Sequence, residues 1–237
     1  MTAEHLQIIR FTVLVALAAT VLMLPPGIGI AWLLARGRFR GKALLETLVT
    51  LPLVLPPVAT GFILLRLLGR RGPFGAMLER GGVDLIFTWK AVLLAMAVMG
   101  LPLVVRTARA GFEQITRRYE QMAETLGAGP WRVFFTISLP LASRAVLAGA
   151  LLGFSRALGE FGATIVIAGN IPGETRTIAV AMFGYLETGR DADATVLLLA
   201  SLAISFGSVW LSNRLAQPAR RTRATPRAAA LPQGRAR

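Results

Sequence analysis

The sequence predicts an all-α integral membrane protein with about five transmembrane helices. Of its 237 residues, 54% are hydrophobic and 16% are charged, and the mean hydropathy is +0.61, whereas roughly a quarter of the residues in a soluble domain are charged. A helix needs about 20 consecutive apolar residues to cross a bilayer core. The stretches that meet this requirement are residues 11–35, 45–68, 85–108, 139–168 and 194–215.

The first stretch, residues 11–35, begins like a secretory signal peptide. Ala16-Leu17-Ala18 resembles a cleavage site, but cleavage there leaves an apolar core of about five residues, against the roughly 7–15 that a signal peptide needs. We therefore expect a retained span. His5 precedes it, and we expect this single histidine to be inert because one ligand without partners makes no metal site.

Prolines interrupt the first three spans, and each removes a backbone donor and bends its helix. These prolines are Pro25, Pro26, Pro52, Pro56, Pro57 and Pro102. Carbonyl groups that are freed inside a bilayer need partners from neighbouring helices or water. The prolines therefore indicate either kinked packing or helices bent around a solvated cavity, and the sequence leaves both open.

The basic residues follow the pattern of membrane proteins. Of the 26 lysines and arginines, seventeen lie in the loop at 36–42, around the segment 106–144 and in the C-terminal tail, and eight lie on the other side of the spans. Cytoplasmic loops carry the excess of basic residues. We therefore expect the segment 121–140 and the C-terminus in the cytoplasm and the N-terminus outside. The basic residues form no aromatic-interleaved patch, so nucleic acid is not an expected partner.

The segment between the third and fourth spans has the pattern of two short helices. The residues of an apolar stripe at i, i+3, i+4 and i+7 are Tyr119, Met122, Ala123 and Leu126. The polar face consists of Glu120, Gln121 and Glu124. Gly127 suits a left-handed helix end, and Pro130 suits the first position of the next helix. The pattern indicates either a docking knob for a partner or an amphipathic helix that rests on the membrane.

The fourth span contains Arg156 and Glu160, which are four residues apart and share a helical face. An unpaired charge at mid-membrane costs about 2.5–3.5 kcal/mol, so such residues face protein or water. The two side chains either lock the span against its neighbours or line a path, in which Arg156 attracts an anion and Glu160 limits its binding. The candidate path residues are Ser155, Arg156, Glu160, Thr164 and Asn170.

The remaining segments add little chemistry. Residues 178–186 are apolar but too short to span, so we expect a re-entrant or interfacial helix. We expect a transmembrane domain over residues 1–217 and a disordered basic tail over residues 218–237. Residues 37–43 lack the spacing and the hydroxyl of a phosphate loop, and the chain has no cysteine for a disulfide, a nucleophile or a cysteine metal site. We therefore expect no bound metal and no hydrolysis by this chain, whose energy must come from a partner or an ion gradient.

The spacing of Gly127, Ile137, Leu139 and Pro140 resembles the cytoplasmic "EAA" loop of ABC importer permeases, which docks into the ATP-binding subunit. The usual Glu-Ala-Ala falls on residues 121–123, of which only the third position agrees. The residues to which this resemblance assigns coupling are Glu120, Gln121, Met122, Ala123, Glu124, Leu126, Gly127, Pro130, Trp131, Ile137, Leu139 and Pro140.

Residues 152–164 and 168–177 resemble the permeases of oxyanion importers, most of all those for molybdate. The resemblance implies the type I ABC importer permease fold and a homodimer in the bacterial inner membrane. It also implies two partners, a pair of ATP-binding subunits and an extracytoplasmic oxyanion-binding protein. The ATP-binding subunits would hold ATP and Mg, and this chain would bind no cofactor. The alternatives are a sulfate or tungstate permease, an ion-coupled secondary carrier, and a membrane anchor without a transport role.

Overall fold

The computed structural model describes residues 1–82 and 84–216, so the predicted tail over residues 218–237 lies outside the described residues. All the regular elements in the described ranges are helical. They are α1 (Ala3–Arg36), α2 (Lys42–Val54), α3 (Pro57–Leu68), α4 (Gly75–Arg80), α5 (Trp89–Gln114), α6 (Arg117–Thr125), α7 (Pro130–Val133), a π-helical turn (Phe134–Ser138), α8 (Leu139–Leu158), α9 (Gly162–Ile167), α10 (Ile178–Glu187) and α11 (Asp191–Ala216).

Four helical segments in the described residues are long and apolar enough to cross a membrane. They are Ala3–Arg36, Trp89–Gln114, Pro130–Leu158 and Asp191–Leu215. The predicted second span, residues 45–68, is not one straight helix, because α2 and α3 are bent by 116° relative to each other. The break lies at Pro56 and Pro57, which cannot donate backbone hydrogen bonds. With this broken pair the described residues contain up to five spans, as predicted.

The other prolines do not end their helices. Pro25 and Pro26 lie inside the continuous 34-residue α1, and Pro102 lies inside α5. The predicted fourth span, residues 139–168, is wrong at both ends. The helical segment begins at Pro130, and α8 ends at Leu158, with the short α9 separate from it.

The core is formed where α1, α5 and α8 cross. The buried Met23 of α1 lies between Gly100 of α5 and Gly153 of α8. A Cβ atom on Gly153 would lie 2.8 Å from Met23 Cε, and one on Gly100 would lie 2.9 Å from Met23 Sδ. The two glycines therefore let three helices approach closely, as small residues do between membrane helices.

The two short helices α3 and α9 pack side by side. A Cβ atom on Gly162 would lie 2.7 Å from Pro57 Cβ, and one on Gly61 would lie 2.8 Å from Ala163 Cα. These contacts place the break between α2 and α3 directly beside the break between α8 and α9.

Candidate functional site

The predicted pair of short helices is present between α5 and α8. Helix α6 ends at Thr125, Gly127 has a φ of +83°, and α7 begins at Pro130. The Gly127 amide donates to the Glu124 carbonyl at 2.9 Å, which closes the last turn of α6. A left-handed φ favours glycine, so Gly127 sets the angle between α6 and α7. We call the segment Arg117–Val133 the α6–α7 loop.

The apolar stripe of α6 faces away from the rest of the chain. Leu126 is 88% exposed, Tyr119 and Met122 are each 55% exposed, and Ala123 is half-buried. An amphipathic helix normally turns its apolar face inward. The opposite arrangement here leaves an apolar surface free for contact with another body.

The buried side of α6 carries a carboxylate. Glu120 Oε2 lies 2.8 Å from Arg36 Nε in the last turn of α1. Its other oxygen, Oε1, accepts a hydrogen bond from Ser138 Oγ at 2.7 Å and one from Arg36 Nε at 3.1 Å. Glu120 is therefore the residue that attaches α6 to the bundle. The sequence placed it on one polar face with Gln121 and Glu124, but those two side chains are exposed.

Arg36 makes a further contact to the end of another span. Its Nη2 donates to the Ile115 carbonyl at 3.1 Å, and Ile115 is the C-cap of α5. Arg117 Nη2 donates back to the Arg36 carbonyl at 3.4 Å. Sequence reasoning treated Arg36 only as a loop charge and did not find Ser138. No local spacing reveals either residue, because Arg36 and Glu120 are 84 residues apart in the chain.

The segment after α7 is aromatic. Trp131 and Phe135 are exposed and stack with their ring centroids 6.4 Å apart, whereas the buried Phe134 packs edge-on against Trp32 at 5.2 Å. The π-helical turn, a form often found at functional sites, ends at Ser138, which meets Glu120. Of the other predicted coupling residues, Ile137 and Leu139 are half-buried and Pro130 and Pro140 are exposed.

A cleft of about 220 Å³ opens beside these contacts. Trp32, Arg36 and Glu120 lie on its inner side, and Gln121 and Glu124 lie near its mouth. The indole N–H of Trp32 is buried there without a hydrogen-bond partner in the described part of the chain.

The second candidate site lies at the break between α8 and α9. Arg156 Nη1 is 2.7 Å from Glu160 Oε2, although its N–H groups are not aligned for a hydrogen bond. The Glu160 side chain is 1% exposed and that of Arg156 is 25% exposed. Glu160 Oε1 accepts the Ala163 amide at 2.8 Å, so this carboxylate caps the first turn of α9 as well as facing the arginine.

The other predicted path residues do not join this pair in one cluster of side-chain bonds. Ser155 Oγ donates to the Leu151 carbonyl of its own helix at 2.9 Å. Thr164 is fully buried, and its hydroxyl lacks a hydrogen-bond partner among residues 1–82 and 84–216. Asn170 is exposed and accepts a hydrogen bond from Arg176 Nε at 2.8 Å.

A cluster of charged residues holds the N-terminal end of α1. His5, which we expected to be inert, is 2% exposed, and its Nε2 lies 3.1 Å from Asp193 Oδ1. Glu4 pairs with Arg176 at 3.4 Å and with Arg190 at 3.7 Å. Among the described residues, His, Asp and Glu side chains form no group of three that could hold a metal ion.

Arg190 also lies over the ring of Tyr185, 4.3 Å from its centroid. Burial raises the pKa of Tyr185, the neighbouring Glu4 carboxylate raises it further, and Arg190 and Arg176 oppose this rise. Hydrogen bonding to Asp193 raises the pKa of Arg190. The Arg190 guanidinium therefore remains charged in this cluster.

Comparison with known proteins identifies the family. The model for the inner membrane component of binding-protein-dependent transport systems matches residues 27–221. The molybdenum transport system permease protein ModB of Escherichia coli K12 is 46% identical over 222 residues, which are 93% of this chain and 97% of that protein. The sulfate transport system permease protein CysT of the same organism is 38% identical over 209 residues, 86% of this chain and 76% of that protein.

A solved structure of similar fold is the bacterial alginate ABC transporter in complex with an alginate pentasaccharide-bound periplasmic protein. The TM-score is 0.69 at 15% identity, over 92% of this chain and 80% of that one. The predicted type I ABC importer permease fold is confirmed. These curated relatives are permease proteins of transport systems. The chain is thus a multi-pass membrane protein that belongs to the family of inner membrane components of binding-protein-dependent transport systems.

Proposed function

We propose that the chain is the transmembrane subunit of an ATP-driven molybdate importer and that its α6–α7 loop docks to a separate ATP-binding subunit. The similarity to molybdenum permeases over nearly the whole chain supports the substrate. Sulfate permeases match at lower identity, so sulfate is the second candidate. Tungstate remains a further alternative because it is an oxyanion of the same charge and shape.

The exposed stripe of α6 supports the docking role. Its apolar side chains point outward while Glu120 fixes the inner side, so the helix is held firmly with its contact surface free. ATP and Mg would bind to the partner, and this chain would bind no cofactor. A second copy of the chain and an extracytoplasmic oxyanion-binding protein would complete the importer in the lipid bilayer.

Reconstitution tests this function directly. The chain, its ATP-binding subunit and the binding protein are placed in proteoliposomes, and uptake of molybdate, tungstate and sulfate is measured with and without ATP. We expect molybdate uptake that requires all three proteins and ATP. Uptake driven by an ion gradient without the ATP-binding subunit would instead identify a secondary carrier, and stronger uptake of sulfate would identify a sulfate permease.

The excess of basic residues supports a cytoplasmic position for the α6–α7 loop and the C-terminus, with the N-terminus outside. Single-cysteine labelling tests this orientation, because the native chain has no cysteine. Met77 is 73% exposed and Arg118 is exposed, so Met77→Cys and Arg118→Cys are suitable probes on opposite sides. An impermeant maleimide should label the first in intact cells and the second only after permeabilisation. The reverse pattern would overturn the orientation.

We also propose that Arg156 contributes to the path of the anion. Its guanidinium keeps part of its surface exposed, whereas Glu160 is enclosed and caps α9. A positive group beside a buried carboxylate attracts a dianion without holding it tightly, and conduction needs that balance between entry and release. Ser155, Thr164 and Asn170 remain candidates for further polar contacts along the path.

A further inference from the structure

Two spans and the α6–α7 loop meet at the Arg36 side chain, and a third span joins them through Glu120. Arg36 is itself in the last turn of α1, its Nη2 binds the carbonyl at the end of α5, and its Nε faces Glu120 of α6. Glu120 in turn accepts the hydroxyl of Ser138, which ends the π-helical turn before α8. We call Arg36, Glu120 and Ser138 the anchor.

We propose that Arg36 is a positioning residue for energy coupling, which ties the α6–α7 loop to α1 so that a displacement of the loop moves this helix. The proposal rests on the docking role proposed above. In the anchor, α6 is attached through charged side chains rather than through an apolar face, because its apolar residues are exposed. Besides the Arg117 hydrogen bond to the Arg36 carbonyl, the anchor supplies the side-chain contact between α6 and α1.

Arginine is suited to this position because its planar guanidinium donates in more than one direction at fixed geometry. Nε points at the Glu120 carboxylate while Nη2 points at the Ile115 carbonyl. A lysine keeps the charge but has a single nitrogen on a flexible stem. Its three donors radiate from this one atom and rotate freely, so the charge would survive while the fixed position of α6 is lost.

Helix α1 can carry a displacement across the molecule. It is continuous for 34 residues, and near its other end Thr12 Oγ1 accepts the Ile178 amide at 2.9 Å while Glu4 pairs with Arg176. Both partners lie at the start of α10 or just before it. A shift of α1 at the anchor is therefore transmitted to the segment that leads into α10 at the opposite end.

The test compares Arg36→Lys and Glu120→Gln with the matched control Arg38→Lys, which makes the same change at an exposed arginine two residues away. Each full-length variant is reconstituted with the ATP-binding subunit and the binding protein. Co-elution measures assembly, and the molybdate imported per ATP hydrolysed measures coupling. We expect both anchor variants to assemble and hydrolyse ATP but to import about fivefold less molybdate per ATP, at the lower end of typical coupling between sites. The control should match the parent.

The other outcomes are decisive as well. If Glu120→Gln does not assemble, Arg36→Lys alone decides, because it keeps the charge. A parental ratio of import to hydrolysis in Arg36→Lys would overturn the proposal, and so would loss of assembly in both variants, since the contact would then be only structural. If the parent itself neither binds the ATP-binding subunit nor imports molybdate, the proposed function fails instead.

Discussion

The two ends of α1 are both held by ion pairs, but the pair at the C-terminal end is mostly buried, whereas at the N-terminal end the Glu4 pairs lie at the surface beside the buried His5. At the C-terminal end the side chains of Arg36 and Glu120 are 14% and 11% exposed. At the N-terminal end those of Arg190 and Glu4 are 46% and 44% exposed. The mostly buried pair has few geometric alternatives, whereas exposed ion pairs are weak and can re-form with other partners or water.

This difference gives the two ends different mechanical properties. A buried charge that loses its partner is strongly destabilising, so the anchor holds one geometry. An exposed pair is worth little in water and can re-form in several arrangements. We therefore expect α1 to be fixed firmly at the α6–α7 loop and to move more freely where it meets α10. A helix that transmits a displacement needs one fixed end, which follows the α6–α7 loop, and one mobile end, which displaces the segment before α10.

The largest expected effect comes from removing a glutamate carboxylate at one end of α1 or at the other, Glu120 at the C-terminal end and Glu4 at the N-terminal end. Glu120→Ala leaves Arg36 buried without its counter-charge, and we expect a loss of about 3–5 kcal/mol in the free energy of unfolding. Glu4→Ala removes exposed pairs and should cost about 0–1 kcal/mol. Unfolding of both purified variants in detergent, followed by circular dichroism, measures the difference. Equal losses would remove the contrast between the two ends.

Arg156 and Glu160 form an intermediate case, with one partner enclosed and the other partly exposed. Exchanging them, as Arg156→Glu with Glu160→Arg, deprives the buried Ala163 amide of its acceptor, and we expect this swap to cost about 1–3 kcal/mol in stability. The neutral double variant, Arg156→Gln with Glu160→Gln, keeps an acceptor at position 160 and should assemble.

Molybdate uptake then separates the two roles of the pair. If Arg156 lines the path, the neutral double variant assembles but imports little molybdate. Parental assembly and uptake by this variant would show that the pair neither lines the path nor locks α8 against its neighbours. Ser155→Ala tests separately whether the neighbouring uncharged candidate contributes to uptake, since its hydroxyl donates to its own helix.

The next largest effect comes from substituting two glycines that both have a left-handed backbone conformation. Gly127 and Gly189 have φ angles of +83° and +70°, and a Cβ atom on either would have open space around it. Valine at either position should cost about 1–2 kcal/mol for the left-handed backbone. Only Gly127→Val should also weaken association with the ATP-binding subunit, because only Gly127 orients the α6–α7 loop.

Co-purification of the ATP-binding subunit and molybdate uptake measure this effect. Gly129→Val is the control for the added side chain, since Gly129 has a φ of −67° and open space. If Gly127→Val binds the subunit and transports at the parental rate, then Gly127 is not the pivot of the loop or the loop does not dock.

The local features of the site could be predicted from the sequence, and the long-range ones could not. The turn at Gly127 follows from glycine and proline chemistry within ten residues, and both short helices are where the pattern placed them. The inward face of Glu120 depends on Arg36 and Ser138, which reach it through packing of separate spans. Helical periodicity therefore identified the apolar stripe of α6 but not that Glu120 is the residue that packs inward.

The fold shows the same limit. Hydropathy located the spans, because a bilayer requires long apolar helices. It could not distinguish the prolines that end a helix from those that a helix accommodates. Pro25 and Pro102 lie within continuous helices. At Pro56 and Pro57 the chain turns by 116°, and α3 packs against α9 through glycine contacts formed only in the folded molecule.

The smallest expected effect is a titration at the N-terminal end of α1. Burial and the Glu4 carboxylate raise the pKa of Tyr185 above its ordinary value of about 10. The chain has two tyrosines, so Tyr119→Phe isolates the signal of Tyr185 in an absorbance titration at alkaline pH. We expect a midpoint above pH 10 in the folded protein and a lower one after unfolding in denaturant. A midpoint that does not change on unfolding would show that the cluster does not enclose the ring.

The same shift fixes the sign of its effect on stability. The unfolded chain releases the Tyr185 proton first, so the stabilisation is fully present below about pH 10 and is lost as the pH rises through the raised pKa of the folded state. Tyr185→Phe carries no proton to release and should show a smaller fall in melting temperature above pH 10 than the parent. Tyr119→Phe, which removes the same hydroxyl at an exposed position, is the matched control. An identical pH dependence in Tyr185→Phe and the parent would mean that Tyr185 does not link the N-terminal cluster to folding.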